Sequence, residues 1–247
     1  MRIVFRCMRA NFIKVRRTAF LFLHLLFPVA GALVFASYFQ VSGWGAAANV
    51  SAFTELLAVV FPFFAGLTIS QLANLEEQAG NFQGMLSGVS SKSAFYLGEI
   101  LFFILLEAAA SALCLLLFEF AYPVMPIWFY FKIWCFLVIA NSSIYLITLY
   151  IGFAFGKTAA VGIGIAGSLT AALMITGLGD AIWKWFPWAW GVRFVDYCMI
   201  QVLYPDKMPE VSAEYLKAFF SMIAITAAFL GLSIVWFRYW EGRKENE

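Results

Sequence analysis

Charge is scarce in this sequence. Asp, Glu, Lys and Arg supply 12% of its 247 residues, about half the roughly 25% of a soluble domain. Apolar residues make up 64%. This balance excludes an ordinary soluble domain and points to a membrane-embedded chain. Histidine is almost missing: His24 stands alone, which removes the usual general base of hydrolase chemistry. It lies inside an apolar run, where packing or a hydrogen bond across helices is the plain reading. The four cysteines, Cys7, Cys114, Cys135 and Cys198, have no neighbours at metal-ligand spacing. No disulfide framework or zinc site is implied. No Ser–His–Asp set, metal-ligand pair or redox pair can be assembled, so the chain is not expected to be an enzyme by itself. Acids are absent from the first seventeen positions, where Arg2, Arg6, Arg9, Lys14, Arg16 and Arg17 crowd together. An apolar run follows at once, which argues against nucleic acid as their partner.

Long apolar runs fill the space that charge leaves. Six candidate spans, approximately Thr18–Tyr38, Ala52–Leu72, Phe95–Phe118, Trp128–Gly152, Thr158–Leu178 and Leu216–Phe237, each come near the ~20 residues that cross a bilayer. The first exceeds the roughly 7–15 residues of a signal-peptide core, so it reads as a retained transmembrane helix. Backbone amides in lipid need internal partners. Continuous runs, rather than short alternating ones, then predict an all-α membrane protein, with residues 1–247 forming one transmembrane domain. Lys and Arg in the connections predict that both termini lie in the cytoplasm. The inside would hold the six N-terminal cations with Lys92, Lys157, Arg238, Arg243 and Lys244; the outside would hold Lys184, Arg193, Lys207 and Lys217.

Between the spans, four stretches stand out. Residues 1–17 mix cations with Ile3, Val4, Phe5, Met8, Phe12 and Ile13, which suits a short helix in the headgroup layer or an irregular basic flank. Gly156, Ala160, Gly164, Ser168, Ala172 and Thr176 recur every fourth residue, a stripe that lets another helix approach closely. The segment 179–215 is expected as an external loop that dips or forms a short helix at the outer surface, Pro187 and Gly191 interrupting any long one, with Trp183, Trp185, Trp188 and Trp190 near the outer membrane boundary; an ordinary aromatic belt is the alternative. "GFAFGKT", Gly152 to Thr158, has three residues between its glycines where a phosphate-binding loop needs four, and it follows a span rather than a strand.

Carboxylates carry what chemistry remains. Glu107 falls near the middle of the third span, a depth at which it should face protein or water; a place on a substrate path and a structural bond both fit. Glu99 is expected to reach the interface. The stretch "NLEEQAGNFQ", Asn74 to Gln83, separates the second and third spans within the predicted cytoplasmic segment 73–92. On one helix, Leu72, Leu75, Ala79, Phe82 and Leu86 would form an apolar stripe, with Glu76, Gly80 and Gln83 on an adjacent edge. A solvated loop is the alternative.

Glu76-Glu77-Gln78-Ala79-Gly80-Asn81-Phe82-Gln83 resembles the acidic cytoplasmic signature of lantibiotic-immunity ABC transporter permeases. "FGKTAAVGIGIAGSL", followed by "TGLGDAIWKWFPWAWGVRF", resembles the G-type (MutG-like) subunit of these ABC-2 type exporters; E-type subunits carry a related acidic segment. The resemblance spans nearly the whole chain. It implies a bacterial cell-membrane permease that pairs with an E-type permease and a cytoplasmic ATPase dimer and expels a lantibiotic peptide from the producer's membrane. ATP and Mg would sit on the ATPase, with no cofactor in this chain. Glu76, Glu77, Gly80, Phe82 and Gln83 inherit the ATPase-coupling role, and Trp183, Trp188, Gly191 and Arg193 mark the external segment, facing peptide or lipid headgroups. An ABC-2 permease for another drug, lipid or bacteriocin stays open, as does an E-type subunit. Beyond the transporter class stand an intramembrane enzyme using Glu107 or Glu99 and a passive peptide-binding scaffold.

Overall fold

Runs this apolar fold into helices that bury their own backbone hydrogen bonds. The computed structural model describes residues 2–15, 19–80, 82, 83, 86 and 91–243. Eight α-helices and no strand occur among them: α1 Arg2–Val15, α2 Ala19–Val41, α3 Ala46–Gln78, α4 Lys92–Ala121, α5 Ile127–Phe155, α6 Lys157–Met174, α7 Pro187–Leu203 and α8 Met208–Tyr239. Five of these, α3, α4, α5, α6 and α8, are long and apolar enough to cross a membrane. They contain the expected second to sixth spans, except that α6 stops at Met174. Thr176 then caps a short 3-10 turn, its side chain accepting from Leu178 N. The first expected span corresponds to α2, of which Leu26–Val41 is apolar but shorter; residue 18 lies outside the described residues.

Helices α2, α3, α4, α5, α6 and α8 alternate in direction, while α7 runs antiparallel to α5, with Gln201 on Lys132 and Phe194 on Phe136. The described termini therefore share one end of the bundle, here called the terminal end. There Lys92 Nζ donates to Trp240 O at 2.8 Å, and Lys157 Nζ at the start of α6 donates to Asn74 Oδ1 near the end of α3 at 2.9 Å. At the opposite end, Asn49 at the start of α3 meets Tyr122 after α4 at 2.9 Å. Helix α3 has 33 residues, about 50 Å at 1.5 Å per residue, against a hydrocarbon layer of ~30 Å.

Helices α3 and α6 pack backbone against backbone. A Cβ on Gly66 would lie 2.7 Å from Ala160 O, and one on Gly164 would lie 2.8 Å from Gly66 Cα. Pro62 in α3 lacks an N–H and disturbs the helix; the next amide, Phe63 N–H, donates to Ser168 Oγ at 3.0 Å. The expected small-residue stripe therefore exists, but its course differs. The buried positions are Ala160, Gly164, Gly167, Ala171 and Met174, while Ala172 and Thr176 are exposed. Steps of four drift by about 40° each on a helix of 3.6 residues per turn, so a straight contact must mix threes with fours.

The apolar core divides into two clusters. One holds Phe61, Cys114, Leu137 and Ala140; the other holds Ala65, Phe103, Ile144 and Leu149. Glu107 and Asn141 lie in sequence between the two sets on α4 and α5, so a polar layer separates two apolar halves.

Replacing Gly164 with Val should drive α3 and α6 apart at a cost of about 1–3 kcal/mol. Gly162→Ala, whose Cβ would meet nothing within 4 Å, should leave stability unchanged or slightly raised. Thermal denaturation of the purified chain in detergent, followed by circular dichroism, checks both.

Candidate functional site

The acidic turn is not the single helix expected over Leu72–Leu86. Helix α3 continues to Gln78, so Glu76 and Glu77 sit on its last turn. The backbone then reverses through Gly80 at φ 116° and Phe82 at φ 65°. Phe82 N donates to Glu76 O at 3.1 Å, and Leu86 N to Phe82 O at 3.0 Å, which starts a new helical turn. Positions 81, 84, 85 and 87–90 of the predicted segment lie outside the described residues. Left-handed backbone is costly for a residue with a β-carbon. Phe82 is held there by burial: its ring, 1% exposed, packs edge-on against Trp240 at 5.1 Å and Phe153 at 6.0 Å. Gly80 has open space around its missing Cβ, and Gln83 is exposed.

Three cations from three elements clasp the end of α3. Lys157 of α6 holds Asn74. Lys14 of α1 meets Glu76 Oε1 at 2.5 Å, where Glu76 is only 7% exposed. Arg243, beyond α8, pairs with Glu77. The guanidinium of Arg243 also lies over Gly156, where a Cβ would come within 2.9 Å of its Cζ. Gly156 joins α5 to α6 at φ 93°, so glycine serves there both the turn and the close approach. The "GFAFGKT" stretch is thus an interhelical joint preceded by a helix.

Helix α1 closes the same region. Cys7, Asn11 and Val15 face inward, while Phe5, Phe12 and Ile13 are exposed. Gly98 of α4 allows the contact, since a Cβ there would lie 2.8 Å from Cys7 Cβ. This cover overturns the expectation that Glu99 reaches an interface. Glu99 is fully buried, with the Asn11 amide and Lys14 as neighbours and Glu76 nearby; neither of its carboxylate oxygens makes a hydrogen bond of good geometry. Burial, with Glu99 close by, also raises the Cys7 thiol above its ordinary value.

Glu107 lies deeper, 1% exposed. Asn141 Nδ2 of α5 donates to its Oε1 at 3.1 Å. Glu99 and Glu107 are two turns apart on α4 but face different surroundings, one beneath α1 and the other beside α5.

Within the segment expected as an external dip or short helix, a helix forms and packs into the bundle. Pro187 opens α7, a helix with Trp190, Val192, Phe194 and Val195 buried. Gly191 brings α7 onto Ala58 of α3, and Trp188 covers Gly167 of α6. Arg193 turns back to Thr176 O at 2.9 Å and Asp180 Oδ1 at 2.6 Å. Trp183 Nε1 donates to Glu214 at 3.2 Å and Trp190 Nε1 to Lys184 O at 3.1 Å. Tryptophans suit a membrane boundary because their N–H needs a polar partner; here these two find it inside the protein. Sequence reading singled out neither Asn11 nor Asn141. Asn141 had a visible signal, a polar "NSS" run in an apolar span, whereas Asn11 acquires its role only when α1 docks.

Comparison of the sequence with protein-family models and with curated proteins finds no match.

Removing the Lys14 ammonium leaves the buried Glu76 carboxylate short of its partner, a loss of about 1–3 kcal/mol that should appear as detachment of α1. In a Cys135→Ser background, Lys14→Met should raise the maleimide labelling rate of Cys7 at least several-fold. An unchanged rate would show that the pair does not hold α1 down.

Proposed function

We propose that this chain is the membrane permease subunit of an ATP-driven exporter of the lantibiotic-immunity kind, with the acidic turn as the surface that receives force from a separate ATPase. One observation carries the reading: the turn lies at the end shared by the first and last described residues and is tied to most of the bundle. Its residues reach α1 through Lys14, α6 through Lys157, the chain after α8 through Arg243, and α5 through Phe153. A push on such a turn cannot stay local, because its neighbours are packed or ion-paired to it. The basic flank and the sequence likeness of residues 76–83 support the cytoplasmic assignment, and the likeness of residues 155–169 and 176–194 supports the G-type subunit.

The roles of the inherited residues then divide. Glu76 is a buried brace between α3 and α1. Glu77 is half-buried, and Gly80 and Gln83 lie at the outer part of the turn, where a partner's groove can meet them. Phe82 anchors the turn in the aromatic cluster. Closure of the ATPase dimer would shift the turn, and through it the balance between two bundle states. That balance moves only as far as the ligands differ in affinity for the two states. With α1 across the base of α4, its exposed Phe5, Phe12 and Ile13 face outward, as a helix resting in the headgroup layer would require. Because Trp183, Trp188, Gly191 and Arg193 pack inward, their part in this reading is to fix α7 within the bundle.

The test is resistance to the peptide in cells carrying the full complex. Glu76→Ala with Glu77→Ala should abolish resistance while the protein still inserts and pairs with its partners. The exchange Lys14→Glu with Glu76→Lys should preserve α1 docking, so it separates bracing from contact with the ATPase. Full resistance in the double alanine variant, or purification of an active chain with no nucleotide-hydrolysing companion, would end this reading.

A further inference from the structure

Helix α1 has an inward and an outward face. Cys7, Asn11 and Val15 recur every fourth residue and are buried; Gly98 and Glu99 of α4 lie beneath the first two. At about 100° per residue, Arg6, Arg9 and Ile13 fall on the opposite side, with Phe5 and Phe12 along one edge of it. All five are exposed.

Arg6 and Arg9 differ from other cations at this end of the bundle. Lys14, Lys92, Lys157 and Arg243 each find an acceptor within the protein. Among the described residues, no carboxylate pairs with Arg6 or Arg9. Glu76 and Glu99 lie on the inward side of α1, and the first seventeen positions contain no acid. The outward face is therefore cationic and unneutralised by the chain's own described residues.

The two arginines stand three positions apart, so their Cβ atoms are about 5–6 Å from each other on one helix surface. Two guanidiniums at that spacing can hold one phosphate, each through paired planar donors. Their neighbours identify what carries the phosphate. Phe5, Phe12 and Ile13 are 63%, 51% and 61% exposed, and a nucleic acid or a free phosphate would leave them in water. A phospholipid satisfies both sets, with its headgroup on the arginines and its acyl boundary around the apolar side chains. A zwitterionic headgroup neutralises its own phosphate, so a surplus of cations favours lipids of net negative charge.

We propose that the outward face of α1 is a binding surface for anionic phospholipid, with Arg6 and Arg9 clamping the headgroup and Phe5 and Phe12 anchoring the helix in the acyl boundary. This rests on the placement of α1 in the headgroup layer and not on export of a peptide. Lipid on the outward face and the Lys14–Glu76 pair on the inward one then hold α1 from both sides.

The full chain carrying Ala10→p-benzoylphenylalanine, at an exposed position of α1, would be placed in nanodiscs of phosphatidylcholine and phosphatidylglycerol at about nine to one. Irradiation and mass spectrometry give the ratio of the two lipids attached. Each arginine near an anionic surface is worth a preference of roughly fivefold. The attached ratio of phosphatidylglycerol to phosphatidylcholine should therefore exceed that of the nanodisc at least tenfold. Arg6→Gln with Arg9→Gln should return it to the nanodisc ratio, while slow maleimide labelling of Cys7 shows that α1 is still docked. Raised salt should lower the enrichment in the chain that keeps both arginines, an arm that needs no exchange of either. The same photoreactive residue at Leu232 of α8, 69% exposed, should show no enrichment. An attached ratio equal to the nanodisc's at position 10, equal enrichment at position 232, or enrichment that survives the double glutamine exchange or high salt would overturn the proposal. None of these readouts involves an ATPase or a peptide, so their failure leaves the exporter reading standing.

Discussion

The contact of Gly66 with Gly164 fixes the geometry on which the rest of the molecule depends. Two helix backbones touch there without intervening side chains, and that approach sets the path of α3. That path places the acidic turn at one end of α3 and the seat of α7 at Ala58. Van der Waals packing of small residues, rather than exclusion of water, holds helices together in lipid. A single added methyl at such a point therefore has no cheap place to go.

Polar groups then select among the arrangements that apolar packing alone would allow. Glu76, Glu77 and Asn74 each find a cation from a different element, so the end of α3 cannot slide past α1, α6 or the chain after α8 without breaking a pair. The Glu107–Asn141 layer does the same between the two apolar clusters, pinning α4 to α5. These contacts are worth little as pure attraction; their value lies in specifying one register.

The helical spans were legible because uninterrupted apolar runs of about 20 residues admit few other structures. Gly164 and Ala160 could also be read as a contact stripe, although its true course needed the drift of a real helix. What escaped the sequence shares one cause: a side chain's meaning depends on what covers it. Trp183 and Trp190 look like boundary residues until Glu214 and the Lys184 carbonyl supply their acceptors. Glu99 looks like an interfacial acid until α1 lies across it. The turn resisted prediction because Phe82 adopts a backbone conformation more typical of glycine, at the call of an aromatic pocket built from α5 and the residue after α8.

The length of α3 has a mechanical corollary. The glycine contact divides the rod unequally, leaving about 18 Å from Gly66 to Gln78 and about 30 Å from Ala46 to Gly66 at 1.5 Å per residue. The short arm carries the glutamates and contains no proline, whereas the long arm is interrupted at Pro62. A sideways push on the glutamates therefore reaches the glycine contact along an unbroken helix, while beyond it the long arm can turn at Pro62.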